Sequence, residues 1–229
     1  MIHRTITKRK LLIRRGTGEV PGYFTEHWVP TSHNKTVLDA LLYVQRQEDP
    51  TLAFRFACRK GMCGTCGVRV NGVERLACST LLRAVPGQTV RIEPLRHLPI
   101  IRDLAVDFTP FFQRWTNLIG PLVSRAQELP VLESPGASSG SFRWGDCISC
   151  ALCYSACDTV GRATGFAGPA ALNRALVLSM DPTRVRLNYR THINQLSGAL
   201  GCHSMGLCTL VCPKGLDPAR AIQRLRLGR

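Results

Sequence analysis

Residues 54–67 read FRFACRKGMCGTCG and residues 76–78 read LAC, so Cys58, Cys63, Cys66 and Cys78 stand in the order C-x4-C-x2-C-x11-C. With this spacing four thiolates hold a two-iron, two-sulfur (2Fe-2S) cluster. Glycines at 61, 64 and 67 permit positive φ angles and close backbone approach, which turns amide groups toward cluster sulfurs. The flanking sequence supplies a scaffold. Residues 5–14 and Tyr23–Pro30 read as strands, and Thr36 caps a helix over Val37–Gln47 whose Leu38, Leu41, Leu42 and Val44 share a side. Residues 68–70 and 89–92 read as further strands, with Asn71-Gly72 as a hairpin turn. Strand, strand and helix in this order open a β-grasp, so the expected fold class is α+β with the cluster loop in an N-terminal β-grasp domain.

The other seven of the eleven cysteines fall into two further groups. Cys147, Cys150, Cys153 and Cys157 read C-x2-C-x2-C-x3-C, the run found in bacterial ferredoxins. Cys202, Cys208 and Cys212, followed by Pro213, repeat that run with one ligand missing, and Met205 stands where the middle cysteine belongs. In two-cluster ferredoxins the fourth cysteine of each run crosses to the other cluster. Cys147, Cys150, Cys153 and Cys212 are therefore expected to hold a 4Fe-4S cluster, and Cys157, Cys202 and Cys208 the other. A thioether is a poor replacement for a thiolate on iron, so that second centre is expected to be 3Fe-4S. Paired C-x2-C units also build zinc sites. The C-x4-C-x2-C group is unusual for zinc, and a Cys-Pro ending belongs to ferredoxin runs.

Composition bounds the rest. A chain of 229 residues with 45% apolar content suits two domains. The pattern changes after Pro94, where helical spacing begins at Phe111, Trp115 and Leu118, so the expected boundary lies near Asp103. Residues 1–103 then form the 2Fe-2S domain, and residues 104–229 an all-helical dicluster domain. LESPGASSG at 132–140 reads as a surface loop, and residues 170–180 and 218–227 read as helices. Net charge is +15, yet the basic residues are spread along the chain without a nucleic-acid motif, so no nucleic acid is expected as partner. The basic opening MIHRTITKRKLLIRR is read as a strand and not as a transit peptide, and no signal peptide is recognisable. AALNRALVLSM at 170–180 is too short to span a bilayer. An odd cysteine count argues against a disulfide framework and for reduced, metallated thiols in a cytosol-like compartment.

The blocks CRKGMCGTCGVRVNG, LAC, PLRHLPIIRDLAVD, CISCALCYSAC, GPAAL and CHSMGLCTLVCPKGLDPARAI resemble the iron-sulfur subunit of succinate dehydrogenase and fumarate reductase, in the family's order and at its separations. The resemblance implies a flavoprotein partner that oxidises succinate or reduces fumarate at FAD, and a membrane anchor that binds quinone. Electrons would pass from FAD through the two-iron, four-iron and three-iron clusters to quinone, within the respiratory chain and the tricarboxylic acid cycle. It also implies a peripheral position on the cytoplasmic side of a bacterial-type inner membrane. His203 matches a residue beside the three-iron cluster and quinone, where it either contacts quinone or donates a hydrogen bond that tunes the cluster. Ubiquinone-reducing members carry proline and then tryptophans after the residue matching Cys157, whereas this chain has Asp158, Thr159, Val160, Gly161 and Arg162. That departure leaves an alternative, the same relay serving a paralogous flavoprotein dehydrogenase for another small carboxylate with a different acceptor. The remaining histidines, His3, His27, His33, His97 and His192, show no metal spacing. Arg220, Arg224, Arg226 and Arg229 read as a solvated helix face and tail, with docking of an acidic partner as the alternative.

Overall fold

The computed structural model describes residues 8–19, 21–31, 35–119, 144–163, 165–180 and 193–228. The loop expected at 132–140, residues 5–7 of the first expected strand, and His3, His33, His192 and Arg229 lie outside them. The chain divides into two compact units, Met1–Phe108 and Thr109–Arg229.

In the first unit β1 (Lys8–Arg15) pairs antiparallel with β2 (Tyr23–Pro30) and parallel with β5 (Thr89–Glu93). β3 (Gly67–Val70) and β4 (Val73–Leu76) form a hairpin on the far side of β5, giving the order β2-β1-β5-β3-β4. Asn71 and Gly72 both have positive φ, 49° and 83°, as a two-residue hairpin turn twisted to match its strands requires. The strands alternate, so Leu11, Ile13, Val29, Val68, Val70, Val90 and Ile92 are buried. Helix α1 (Val37–Gln47) contributes buried Leu38, Leu41, Leu42 and Val44. Its start is fixed by a capping box, in which Thr36 Oγ1 accepts from Asp39 N at 3.2 Å and the Asp39 carboxylate accepts from Thr36 N at 2.9 Å.

A small hairpin of β6 (Ile100–Arg102) and β7 (Ala105–Val106) follows, and its corner is Asp103, at φ +51° and 2% exposed. The Asp103 carboxylate accepts from Gly16 N and Ala53 N, each at 2.9 Å, and lies 3.1 Å from Arg15 Nε. One buried side chain thus ties together the β1–β2 turn, the lead into the first cysteine loop and the β6–β7 corner.

The described residues of the second unit form helices and turns: α2 (Thr109–Ile119), α3 (Leu152–Ser155), α4 (Asp158–Arg162), α5 (Pro169–Ser179), α6 (Leu207–Leu210) and α7 (Pro218–Arg226). α5 is buried on nearly every side, through Ala170, Ala171, Leu172, Asn173, Ala175, Leu176 and Leu178, and so serves as the central element. Gly168, before it, has φ +89°, and a Cβ there would come within 2.9 Å of the Tyr154 ring. Tyr154 is itself buried, edge-on to Phe111 at 5.4 Å between centroids. Asp217 caps α7 by accepting from Arg220 N at 3.0 Å, and also from Thr209 Oγ1 at 2.7 Å, which joins α6 to α7.

Candidate metal centres

The first cysteine loop is shaped by left-handed backbone at Arg59, Gly61 and Gly64, φ +59°, +70° and +73°. Successive amides are thereby turned onto sulfur. Cys58 Sγ accepts from Met62 N and Cys63 N at 3.3 Å and from Lys60 N at 3.4 Å, while Gly61 N donates to Cys78 Sγ at 3.2 Å. Thr65 Oγ1 donates to Cys63 Sγ at 3.2 Å. Cys78 is held from the other side, because Ala77 N bonds to Cys66 O and the first amides of α1 bond to Ala77 O and Thr80 O.

The thiols differ in setting. Burial pushes Cys66 up to about 12, with neighbouring Cys78 and Cys63 adding to the rise. The Thr65 hydroxyl, followed by contacts with Cys58, brings exposed Cys63 down to about 6. Donors that stabilise a thiolate also stabilise the added negative charge of a reduced cluster. Thr65→Val is accordingly expected to lower the two-iron midpoint by roughly 50 mV, the loss of about 1 kcal/mol of hydrogen bonding. A redox titration checks this, and an unmoved midpoint would remove Thr65 from the set of tuning groups.

In the second unit Cys147, Cys150, Cys153 and Cys212 line one pocket whose other walls are mostly apolar, among them Ile148, Ala151, Ala170 and Leu216, with Asn173 and Lys214 as the polar members. Left-handed Ser149 and Ala151, φ +53° and +58°, wind the chain around it. Burial raises the thiol pKa values here, Cys150 to about 12 and Cys153 well above its usual range, and the charges of the other pocket cysteines add to both. Cys208 is raised to about 11, first by burial and then by Cys157 and Cys202. The electrostatic neighbours of Cys208 are thus the two cysteines that the sequence groups with it. Cys153 feels Cys208 as well, so the two groups adjoin.

The residues between Cys202 and Cys208 turn outward. Ser204 and Gly206 are left-handed, φ +57° and +73°, Ser204 N donates to Cys202 Sγ at 3.3 Å, and Met205 is 66% exposed. His203 is exposed. After Cys157, α4 leaves Asp158 half-buried and Arg162 exposed. Among the described residues no three His, Cys, Asp or Glu side chains gather as ligands of one metal ion. A cluster spreads its thiolates over several irons, and the donor set fits one: four thiols around one largely apolar pocket in the second unit, and amides and a hydroxyl aimed at several sulfurs in the first.

Two residues on α7 that the sequence assigns to a solvated face make contacts within the unit. Arg226 donates to main-chain oxygens beside Cys202 instead of facing water, and the Arg224 guanidinium lies 5.2 Å from the Trp144 ring centroid. Their signal in the sequence is only helical register, since an arginine one turn from buried Ile222 and Leu225 can point to either side.

Comparison with known proteins agrees with this geometry. Residues 10–113 match the family described as 2Fe-2S iron-sulfur cluster binding domain, and residues 143–216 the 4Fe-4S dicluster domain. The fumarate reductase iron-sulfur subunit of Mycobacterium tuberculosis is 37% identical over 210 residues, covering 89% of this chain and 85% of that protein. The mitochondrial succinate dehydrogenase [ubiquinone] iron-sulfur subunit of Candida glabrata is 35% identical over 199 residues, covering 83% of this chain and 77% of its own length. A chain of the Mycobacterium smegmatis Sdh1 complex in the apo form superposes with a TM-score of 0.88 at 26% identity, over 98% of this chain and 96% of that one. With thiol spacing, loop geometry and whole-length similarity pointing the same way, the chain belongs to the family of iron-sulfur subunits of succinate dehydrogenase and fumarate reductase.

Proposed function

We propose that this chain is the electron-relay subunit of a succinate:quinone oxidoreductase, standing between a FAD-containing flavoprotein and a quinone-binding membrane anchor. The observation that carries the reading is the sorting of thiols in the second unit, Cys147, Cys150, Cys153 and Cys212 around one pocket and Cys157 and Cys202 about Cys208. On this reading residues 1–103 are a β-grasp domain whose Cys58, Cys63, Cys66 and Cys78 hold 2Fe-2S. Residues 104–229 are the helical domain, with the pocket cysteines holding 4Fe-4S and Cys157, Cys202 and Cys208 holding 3Fe-4S. When bound, these clusters take up and release single electrons.

The protein's own part is to set where and how easily that happens. Amides of residues 60–63 offset negative charge on the first thiolates, and the apolar walls around Cys150 and Cys153 keep water from theirs. Exposed Phe56, Met62 and Cys63 leave the two-iron loop thinly covered, which suits electron entry from a docked flavoprotein. Exposed Leu200, Met205 and Leu210 flank the Cys202 group and suit an apolar anchor. No described helix is long and apolar enough to cross a membrane, so we assign membrane attachment to that anchor, on the cytoplasmic side of a bacterial-type membrane. Exposed His203, next to Cys202, is placed to meet quinone or to hydrogen-bond near the cluster.

The native complex is expected to contain about nine iron atoms per copy of this chain, as one two-iron, one four-iron and one three-iron centre. Metal analysis with paramagnetic resonance measures this, and stoichiometric zinc with little iron would end the reading. Exposed Arg162, where the ubiquinone-reducing pattern has an aromatic residue nearby, favours the second reading of a paralogous dehydrogenase. Identifying the flavoprotein that copurifies, and assaying it with succinate, separates the two.

A further inference from the structure

Asn173 stands in the middle of α5, among Leu172, Ala175 and Leu176, and is 1% exposed. Asparagine is a weak helix former, and a buried amide needs partners for both its oxygen and its nitrogen. Nδ2 donates to Trp144 O at 2.9 Å, while Oδ1 meets no donor among the described residues. The bond to Trp144 O also tells nitrogen from oxygen, since two oxygens would repel there. One of the two N–H groups of Nδ2 is thus used, and no other described residue accepts from the second. Leucine would fill much the same space without leaving polar atoms unpaired. Asn173 lines the pocket of Cys147, Cys150, Cys153 and Cys212, where, the thiols aside, the other polar side chain is exposed Lys214. Trp144 lies three residues before Cys147, and its indole Nε1 donates to Asp217 O at 3.4 Å.

We infer that Asn173 serves the four-iron centre, donating its second side-chain N–H to the sulfurs gathered in that pocket while its first holds the chain that leads into Cys147. The inference rests on the reading that these four cysteines ligate the centre. The thiolates and sulfides of a cluster are acceptors, so the N–H is the half of the amide they can use. A donor on cluster sulfur favours the added electron, and apolar walls leave even a single such bond unscreened. Oδ1 gains nothing from a cluster, and an aspartate, with two such oxygens and a negative charge, would oppose reduction.

The test uses the full native complex, with Asn173→Leu and Asn173→Asp as variants, and redox titration of all three centres. Asn173→Leu is expected to shift the four-iron couple at least tenfold toward oxidation, a fall of about 59 mV, leaving the two-iron and three-iron midpoints in place. Asn173→Asp lowers the four-iron midpoint further. A second measurement does not depend on how well the variants fold. Wild-type complex carrying a nitrogen isotope label at asparagine side-chain amides is expected to show coupling of the labelled nitrogen to the reduced four-iron centre in pulsed paramagnetic resonance, and labelled Asn173→Leu to lack it. An unmoved four-iron midpoint in Asn173→Leu, or no such coupling in the wild type, overturns the inference. So does an equal shift of all three centres, which would mark a general packing role. A Cys150→Ser complex that keeps a normal four-iron signal would show instead that the ligand assignment is wrong.

Discussion

The Met205→Cys complex is expected to lose the oxidised paramagnetic signal of the three-iron centre and to gain a second four-iron centre. Met205 stands between left-handed Ser204 and Gly206, in the position of the absent ligand in the C-x2-C-x2-C run. Its thioether is turned to solvent. A shorter cysteine side chain on the same loop carries a thiolate, which can complete a fourth corner where a thioether does not. An extra anionic ligand makes the centre harder to reduce, so its midpoint should fall by on the order of 100 mV. Electron delivery to quinone should then slow by at least tenfold, while reduction of an artificial dye that accepts electrons upstream changes little. An unaltered three-iron signal in a variant that assembles normally would show that the two cysteine runs are wrongly aligned.

A comparably large effect, on stability and not on redox chemistry, is expected from Asp103→Ala. The substitution leaves Gly16 N and Ala53 N without their acceptor and strips a carboxylate from Arg15, whose side chain is 5% exposed. Breaking a buried ion pair from one side costs about 3–5 kcal/mol. For a unit of this size that lowers the melting midpoint by more than about 10 °C. Ala53 leads directly into the first cysteine loop, so bleaching of the two-iron chromophore is the convenient readout; a midpoint within a few degrees of wild type would refute the role. Asp49 on the other side of Arg15 adds a pH term. The Thr51 hydroxyl and then Arg15 hold the Asp49 carboxyl down at about 2, below its unfolded value. Its contribution is therefore complete above about pH 4 and disappears as pH falls through 2.

Much of the first unit was legible because its signals are local. Thr36 and Asp39 lie within one helical turn, and Asn71-Gly72 declares its hairpin without reference to anything distant. The spacing within each cysteine run is legible for the same reason, since it is a property of adjacent residues. Asp103 was not. It reads as a polar residue at a change of pattern, and its partners at Gly16 and Ala53 are 87 and 50 residues away. Arg226 was misread as solvated because its acceptors are main-chain oxygens 24 to 27 residues upstream, and carbonyls leave no mark in a sequence. The Tyr154 ring against Gly168 is similar, a fit of shape between elements that no periodicity announces.

The parallel pairing of β1 with β5 also bears on how the chain reaches its fold. Lys10–Ile13 lie beside Thr89–Ile92, so β1 must wait for its parallel partner, about eighty residues later, and closing so long a loop is slow. The β3–β4 hairpin, by contrast, brings Cys66 and Cys78 together through short-range pairing such as Ala77 N to Cys66 O. During synthesis the β1–β2 ribbon therefore emerges with its β1 edge open, which is a template for association with other chains until β5 arrives. The arrangement places the period of greatest aggregation hazard before sheet closure, and makes β5 the strand on whose arrival the safety of the whole N-terminal unit depends.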